Sequence, residues 1–495
     1  MESEKYDKKY ADFTLILLSA LVLIVMYVEG MLTPSLPSIA QSFNKTIDQV
    51  SLLLSVYLVS GIALSPVMGK LGDIYGKKKV LSIVIIIYAV MVSVTGFSPN
   101  FTFMVISRGI QGIGLTIMPL AMSLMREQYP REMIPKAQAL LSAMFGVGFA
   151  VSLPLGSLVS NDFGWRATYH TAIPFIVILA IVTIIKIRES SYRKKDVKVD
   201  AVGSALLGIS MALIVLALSE GTTWGWTSTI IISMLISGVA VLILDLYYER
   251  IYQRRGGEPI FDYRLLGERN VMISNIVLSI SGMGMFLAMQ ALTYKFETPT
   301  PYGNGLSILG TGLSLVPFAL GIIIFSPLTG SIISKVGVKP IAVTGAIVAA
   351  VGFLLEGTVP DYLLTMVYEF IIGSGISMIN ASVINLIILT VDPKDMGLAT
   401  SMNSTFRTLG SSLGAPISGI MLSLYTVTEV VKSSSGTVSF AFPDKTAFFY
   451  SFVISFAAFI AALAVTFFAK EILGKRTAGR KVTESVEIGE SSFTK

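Results

Sequence analysis

The sequence predicts an all-α membrane protein of fourteen transmembrane helices, arranged as two six-helix bundles with two further helices inserted between them. Of the 495 residues, 53% are hydrophobic and 14% charged, with a mean hydropathy of +0.75, whereas soluble domains run at about 45–50% apolar and 25% charged. Fourteen apolar runs approach or exceed the ~20 residues that cross a bilayer as a helix. Sliding the chain along itself by 261 residues places Pro66 on Pro327, Gly69 on Gly330, Gly76 on Gly337, Gly112 on Gly373 and Gly114 on Gly375. Five matches in two separate segments point to two halves built on one skeleton.

In chain order the runs are 13–37, 50–68, 80–97, 101–125, 137–159 and 167–187 in the first half. The inserted pair is 202–218 and 230–247, and the second half holds 271–292, 308–333, 341–355, 362–389, 396–424 and 447–469. The expected units are therefore a bundle over 1–190, the inserted helices and their linkers over 191–268, a second bundle over 269–472, and a polar, disordered tail over 473–495. With both ends inside, 30 of the 37 Lys and Arg fall on the cytoplasmic side. Five lie outside (Lys45, Arg166, Lys295, Lys432, Lys445) and two within helices, Arg108 and Arg407. Residues 1–10 are charged and the first apolar run is too long for a signal core, so the first helix is expected to stay. The stretch 425–445 is the largest outer loop.

Composition also excludes classes of chemistry. The chain has no cysteine and one histidine, His170, which removes disulfides, thiol catalysis and cysteine or histidine metal sites. No G-x-x-x-x-G-K-[ST] segment is present to cradle a nucleotide. The net charge of +6 resides in short loops, where topology explains it without a nucleic-acid partner.

Residues 69–79, GKLGDIYGKKK, hold one acid among four lysines between two long apolar runs. This stretch resembles the loop between helices 2 and 3 of the major facilitator superfamily, with Gly69, Leu71, Gly72, Asp73, Gly76, Lys77 and Lys78 in place. The resemblance implies a conformational switch in which Asp73 meets a helix N-terminus or a basic partner. Without it, the loop reads as a basic turn that sets topology.

Further motifs extend the likeness to the fourteen-helix drug:proton antiporter family. In helix 4, SRGIQGIG is similar to the pattern R-x-x-Q-G-x-G through Arg108, Gln111, Gly112 and Gly114. In helix 5, GVGFAVSLPLGS resembles the antiporter motif through Gly148, Pro154 and Gly156, although Leu153 stands before the proline and Ser157 replaces the last glycine. FGWRATYHTAIP resembles the segment after helix 5 through Gly164, Trp165, Arg166, Tyr169 and Pro174, with Ala172 where asparagine is expected. Helix 13 matches through Gly397, Ala399, Arg407, Leu409, Gly410, Ser412, Leu413 and Gly414.

An ionised side chain at the bilayer centre costs about 2.5–3.5 kcal/mol even on the lenient insertion scale, so each needs a partner or a wet cavity. Four are expected here: Glu29, Arg108, Glu369 and Arg407. The resemblance places the first three on cavity-lining helices and makes Glu29, Glu369 and Arg108 the proton-coupling candidates. The alternative is that Glu29 or Glu369 forms a fixed ion pair with Arg108. Met118, Met122, Met283, Met285 and Met289 could line a cavity or simply pack.

The resemblance implies a monomeric, multi-pass transporter of the plasma membrane, with both termini cytoplasmic. It would use protons to export amphipathic or cationic small molecules by alternating access, with no cofactor and no metal. A proton-coupled importer of a small metabolite and a non-transporting membrane sensor are the alternatives. An enzyme is disfavoured, since no nucleophile–histidine pairing or metal cluster occurs in the loops.

Overall fold

The computed structural model describes residues 7–129, 133–190, 199–358, 361–392, 395–433 and 436–471. The tail expected to be disordered, 473–495, lies outside the described residues. The first half comprises α1 (Lys8–Gly30), a 3₁₀ turn at Thr33–Ser35, α2 (Leu36–Phe43), α3 (Ile47–Tyr75), α4 (Lys77–Gly96), α5 (Phe101–Gln111), a 3₁₀ turn at Gly112–Thr116, α6 (Ile117–Gln128), α7 (Ile134–Phe163) and α8 (Trp165–Lys186). The inserted pair is α9 (Ala201–Trp224) and α10 (Thr229–Arg254), followed by a linker with the short α11 (Tyr263–Gly267). The second half holds α12 (Arg269–Glu297), α13 (Ile308–Ser314), α14 (Val316–Val336), α15 (Val338–Thr358), α16 (Tyr362–Thr390) and α17 (Met396–Leu424). A hairpin of β1 (Thr426–Ser433) and β2 (Gly436–Pro443) then leads to α18 (Lys445–Phe467).

Among the described residues, twelve helical stretches are long and apolar enough to cross a membrane. Helices α7 and α17, of 30 and 29 residues, are not among the twelve. The helices run alternately between a near end, which carries Lys8 and Phe467, and a far end. Side-chain caps define several starts: Asn100 accepts from Phe103 N–H, Ser228 from Ile231 N–H, Asp361 from Leu363 and Leu364 N–H, and Asp444 from Thr446 N–H. The stretch 425–445, expected as a loop, pairs as an antiparallel hairpin from Thr426↔Pro443 to Ser433↔Gly436. Its runs of β-branched residues favour strand pairing over an open loop.

The 261-residue repeat is structural. Gly76 and Gly337 share a φ of +107° at the joints α3–α4 and α14–α15, a conformation open to glycine at little cost. A Cβ on Gly112 would strike the Tyr57 carbonyl, and one on Gly373 would strike the carbonyl of Phe318, itself 261 residues beyond Tyr57. Gly114 abuts the Tyr88 ring as Gly375 abuts the backbone of Ala349, again 261 residues on. A carboxylate closes each unit: Glu189 accepts from Lys78 and Lys79 N–H at the start of α4, and Glu471 from Val338 and Lys339 N–H at the start of α15.

The halves meet most closely at the far end. Asp48 of α3 accepts from Ser423 Oγ of α17 at 3.0 Å, and Thr222 of α9 donates to its other oxygen. Gly312 of α13 lies against the Ser157 side chain and Leu153 carbonyl of α7. Helix α9 is bound into this junction: Leu207, Met211 and Val215 join Leu52, Val59 and Ile62 of α3 and Met402 of α17 in one buried cluster. Helix α10 packs on α9, and it exposes Ile236, Ile243 and Tyr247 on its outer face.

Candidate functional site

Arg108 closes α5 just before the chain tightens into the 3₁₀ turn, which brings it fully inside the first half. Its Nε donates to the Leu53 carbonyl at 3.2 Å and its Nη1 to Gln111 Oε1 at 2.8 Å. Gln111 in turn donates to Thr95 Oγ1 at 3.2 Å, and the guanidinium carbon stands 4.6 Å from the centre of the Tyr57 ring. Glu29 of α1 is also buried, with its Oε2 4.0 Å from Arg108 Nη2. Both Glu29 oxygens, Arg108 Nη2 and the hydroxyls of Tyr57 and Tyr169 are enclosed without a hydrogen-bond partner. Unmet polar groups of this kind are costly, and they are where a proton, water or polar ligand gains most.

Glu29 also reaches the plane between the halves. A cavity of about 40 Å³ lies there, bordered by Glu29, Leu115 and Phe149 on one side and by Met285, Phe286 and Arg407 on the other. It has room for water but not for a drug-sized ligand, whose pockets run from about 300 Å³. Arg407, read from sequence as an intramembrane charge and a helix-13 motif residue, thus faces the same space as the helix-1 acid. Of the five methionines that could line a cavity or simply pack, Met285 borders it, together with Met26.

The second half departs from expectation. Glu369 is fully buried on α16 with both oxygens unpartnered, and its charged neighbours are Glu356 and Lys295. Lys295, counted from sequence on the outer side of the membrane, lies in the last turn of α12 and is enclosed by the protein: its Nζ pairs with Glu356 Oε1 and donates to Thr365 Oγ1 at 3.1 Å. The apolar run ending at 355 concealed Glu356, which belongs to the last turn of α15. The one sequence signal for the pair was an acid directly following that run.

The switch loop forms the α3–α4 joint. Asp73 lies 3.7 Å from Lys77 Nζ, which donates to Glu127 at 2.5 Å, while Lys78 is tied by its N–H to Glu189. Gly69 has nothing within 4 Å of where a Cβ would stand, and neither has Gly397 at the start of α17. Both positions therefore face open space at the near end. In α7, Gly148 rests on the Leu23 carbonyl and Gly156 on Met31, so these motif glycines join α7 to α1, with Pro154 inside the helix between them. Trp165 and Arg166 sit at the far end: the indole donates to Ser42 Oγ at 3.1 Å, and the guanidinium stacks 4.3 Å from the indole.

Comparison with known proteins adds the following. The family model of the Major Facilitator Superfamily matches residues 18–289 and 271–489. An uncharacterized transporter of that type from Mycobacterium tuberculosis is 28% identical over 406 residues, covering 81% of this chain and 58% of the relative, so the chain spans less than two thirds of that protein's length. Multidrug transporter protein MdtP of Bacillus subtilis is 24% identical over 381 residues, covering 76% of this chain and 69% of the relative. Among solved structures, a bacterial homologue of the human lysosomal transporter Spinster, inward-facing and unoccupied, superposes with a TM-score of 0.67 at 13% identity, covering 93% of this chain and 97% of that one.

Proposed function

The chain belongs to the Major Facilitator Superfamily, and from this we propose that it is a transporter and not an enzyme, a proton-coupled exporter of amphipathic or cationic small molecules. The observation that carries the reading is Glu29, a buried carboxylate without a hydrogen bond, placed between Arg108 and the cavity that both halves share. Such an acid can hold a proton or a cationic substrate, and competition between them couples the two fluxes. Multidrug names among the relatives support export. The contact of the halves at the far end and the open space beside Gly69 and Gly397 support an inward-open state.

In this reading α7 and α17 also cross the bilayer, which makes fourteen spans with both chain ends cytoplasmic in the plasma membrane. Arg108 holds the neighbourhood of Glu29 electropositive, Asp73 of the switch loop meets the start of α17 in the opposite state, and the protein works as a monomer. The test is purified protein in liposomes with an imposed pH gradient, screened against lipophilic cations and common metabolites. Uphill movement of a cation out of the compartment facing the near end supports the reading. Transport of metabolites alone, or transport indifferent to the gradient, overturns it.

A further inference from the structure

The inserted helices carry a second group of buried acids that nothing in the cavity requires. Asp200 caps α9 by accepting from Gly203 N–H at 2.9 Å, and it is 3% exposed. Asp245 and Glu249 share one face of α10, four residues apart, and both are fully buried. A Cβ on Gly203 would stand 2.7 Å from both Asp200 Oδ2 and Glu249 Oε1, so two acceptor oxygens converge over the space that this glycine leaves. Neither oxygen has a hydrogen-bond partner, and neither does either oxygen of Asp245. Among the described residues no lysine or arginine pairs with the three acids.

The surrounding titratable groups are Tyr248 and Tyr252 of α10 and Tyr263 and Glu258 of the linker, while Lys70 of α3 is engaged by Glu258. Adjacent carboxylates cannot all remain ionised where water is excluded. A metal ion would neutralise them too, but no three acids among the described residues are grouped closely enough to hold one.

We infer that Asp200, Asp245 and Glu249 form a proton-binding site in the inserted helices, separate from the Glu29 cavity, with a proton shared between Asp200 and Glu249. Uptake converts carboxylate to carboxylic acid, and the only species consumed is a proton from solution. The site also reaches the linker: Glu249 Oε2 accepts from Ile260 N–H at 3.0 Å, and four residues later Arg264 bonds Asp395 at the start of α17 at 3.0 Å. Loss of the proton strengthens the hold of Glu249 on Ile260, and so on a strap between the inserted pair and the second half.

The experiment is infrared difference spectroscopy of the purified protein across a pH titration, in a Glu29→Gln, Glu369→Gln background that removes the two acids offered as proton-coupling candidates. A protonated-carboxyl stretching band is expected to persist at neutral pH and to lose intensity in Glu249→Gln and in Asp200→Asn separately. Monodispersity and thermal unfolding check each variant. Should Glu249→Gln not fold, Asp200→Asn, which keeps an acceptor for the cap on Gly203 N–H, decides alone. A band unchanged in Asp200→Asn overturns the proposal. So does a band that appears only when sodium, potassium and divalent ions are withdrawn, since an inorganic cation then occupies the site.

Discussion

Glu29 and Arg108 stand 4.0 Å apart, both buried, with no hydrogen bond between them. The guanidinium spends its donors on Leu53 and Gln111 and its face on Tyr57, so it acts on the acid as a neighbouring charge and not as a clamp. Glu29→Gln keeps the shape and removes the ionisation. Uphill transport is expected to fall by about a hundredfold or more, the scale of losing a positioned proton-transfer group. Passive exchange of substrate between equal pH values is expected to survive. Glu369→Gln serves as the comparison, and normal pumping by the Glu29 variant with failure of the Glu369 variant would move the proton site to α16.

Asp48 joins the halves at the far end through Ser423 and joins α9 through Thr222. Hydrogen bonds to a charged group contribute about 1.5–3 kcal/mol each, so Asp48→Ala is expected to favour opening of the far end by at least tenfold. The chain is naturally free of cysteine, which makes labelling of Ser51→Cys, buried beside Asp48, a clean reporter. Equal labelling rates with and without Asp48 would show that the latch does not hold this end shut.

Gly112 and Gly373 face carbonyls that leave no room for a methyl group, whereas Gly69 faces open space. Alanine at either of the first two is expected to cost about 1–3 kcal/mol by overpacking, visible as a lower unfolding temperature in detergent. Gly69→Ala is expected to leave that temperature unchanged. If all three behave alike, helix propensity and not packing explains these positions.

Asp73 forms an ion pair with Lys77 one turn on and is partly exposed. Asp73→Asn is expected to lower transport several-fold with little loss of folded protein, since its proposed partner at the start of α17 is met only in the other state. Parallel loss of activity and folded yield would assign it a structural role instead.

Lys295 and Glu356 form a pair enclosed in the second half. Lys295→Met leaves a buried carboxylate unpaired and is expected to destabilise by about 3–5 kcal/mol. Adding Glu356→Leu is expected to recover most of that loss, since an apolar pair of similar volume is often as stable. A double variant no more stable than the single one would mean that the ion pair is itself required.

The sequence by itself determined the solvent of this protein, the twelve candidate spans seen among the described residues and the repeat, and it marked Arg108 as a charge inside a helix. Each of these is a local or periodic property: apolar runs read directly as bilayer crossings, and glycines 261 residues apart mark joints and close approaches that recur because the halves share a skeleton. Glu29 was also legible, because an acid inside an apolar run is conspicuous. Only the tertiary structure decided which charges meet. Lys295 was counted on the outer side and Glu356 fell just past the end of an apolar run, and only the tertiary structure joins the two, beside Thr365 of α16. The same holds for Asp48 with Ser423, 375 residues away, for Arg407 across the cavity from Glu29, and for Asp200 beneath α10. Pairing across helices depends on rotation and tilt about each helix axis. Where nearly every face of a membrane helix is apolar, no periodicity in the sequence records that rotation.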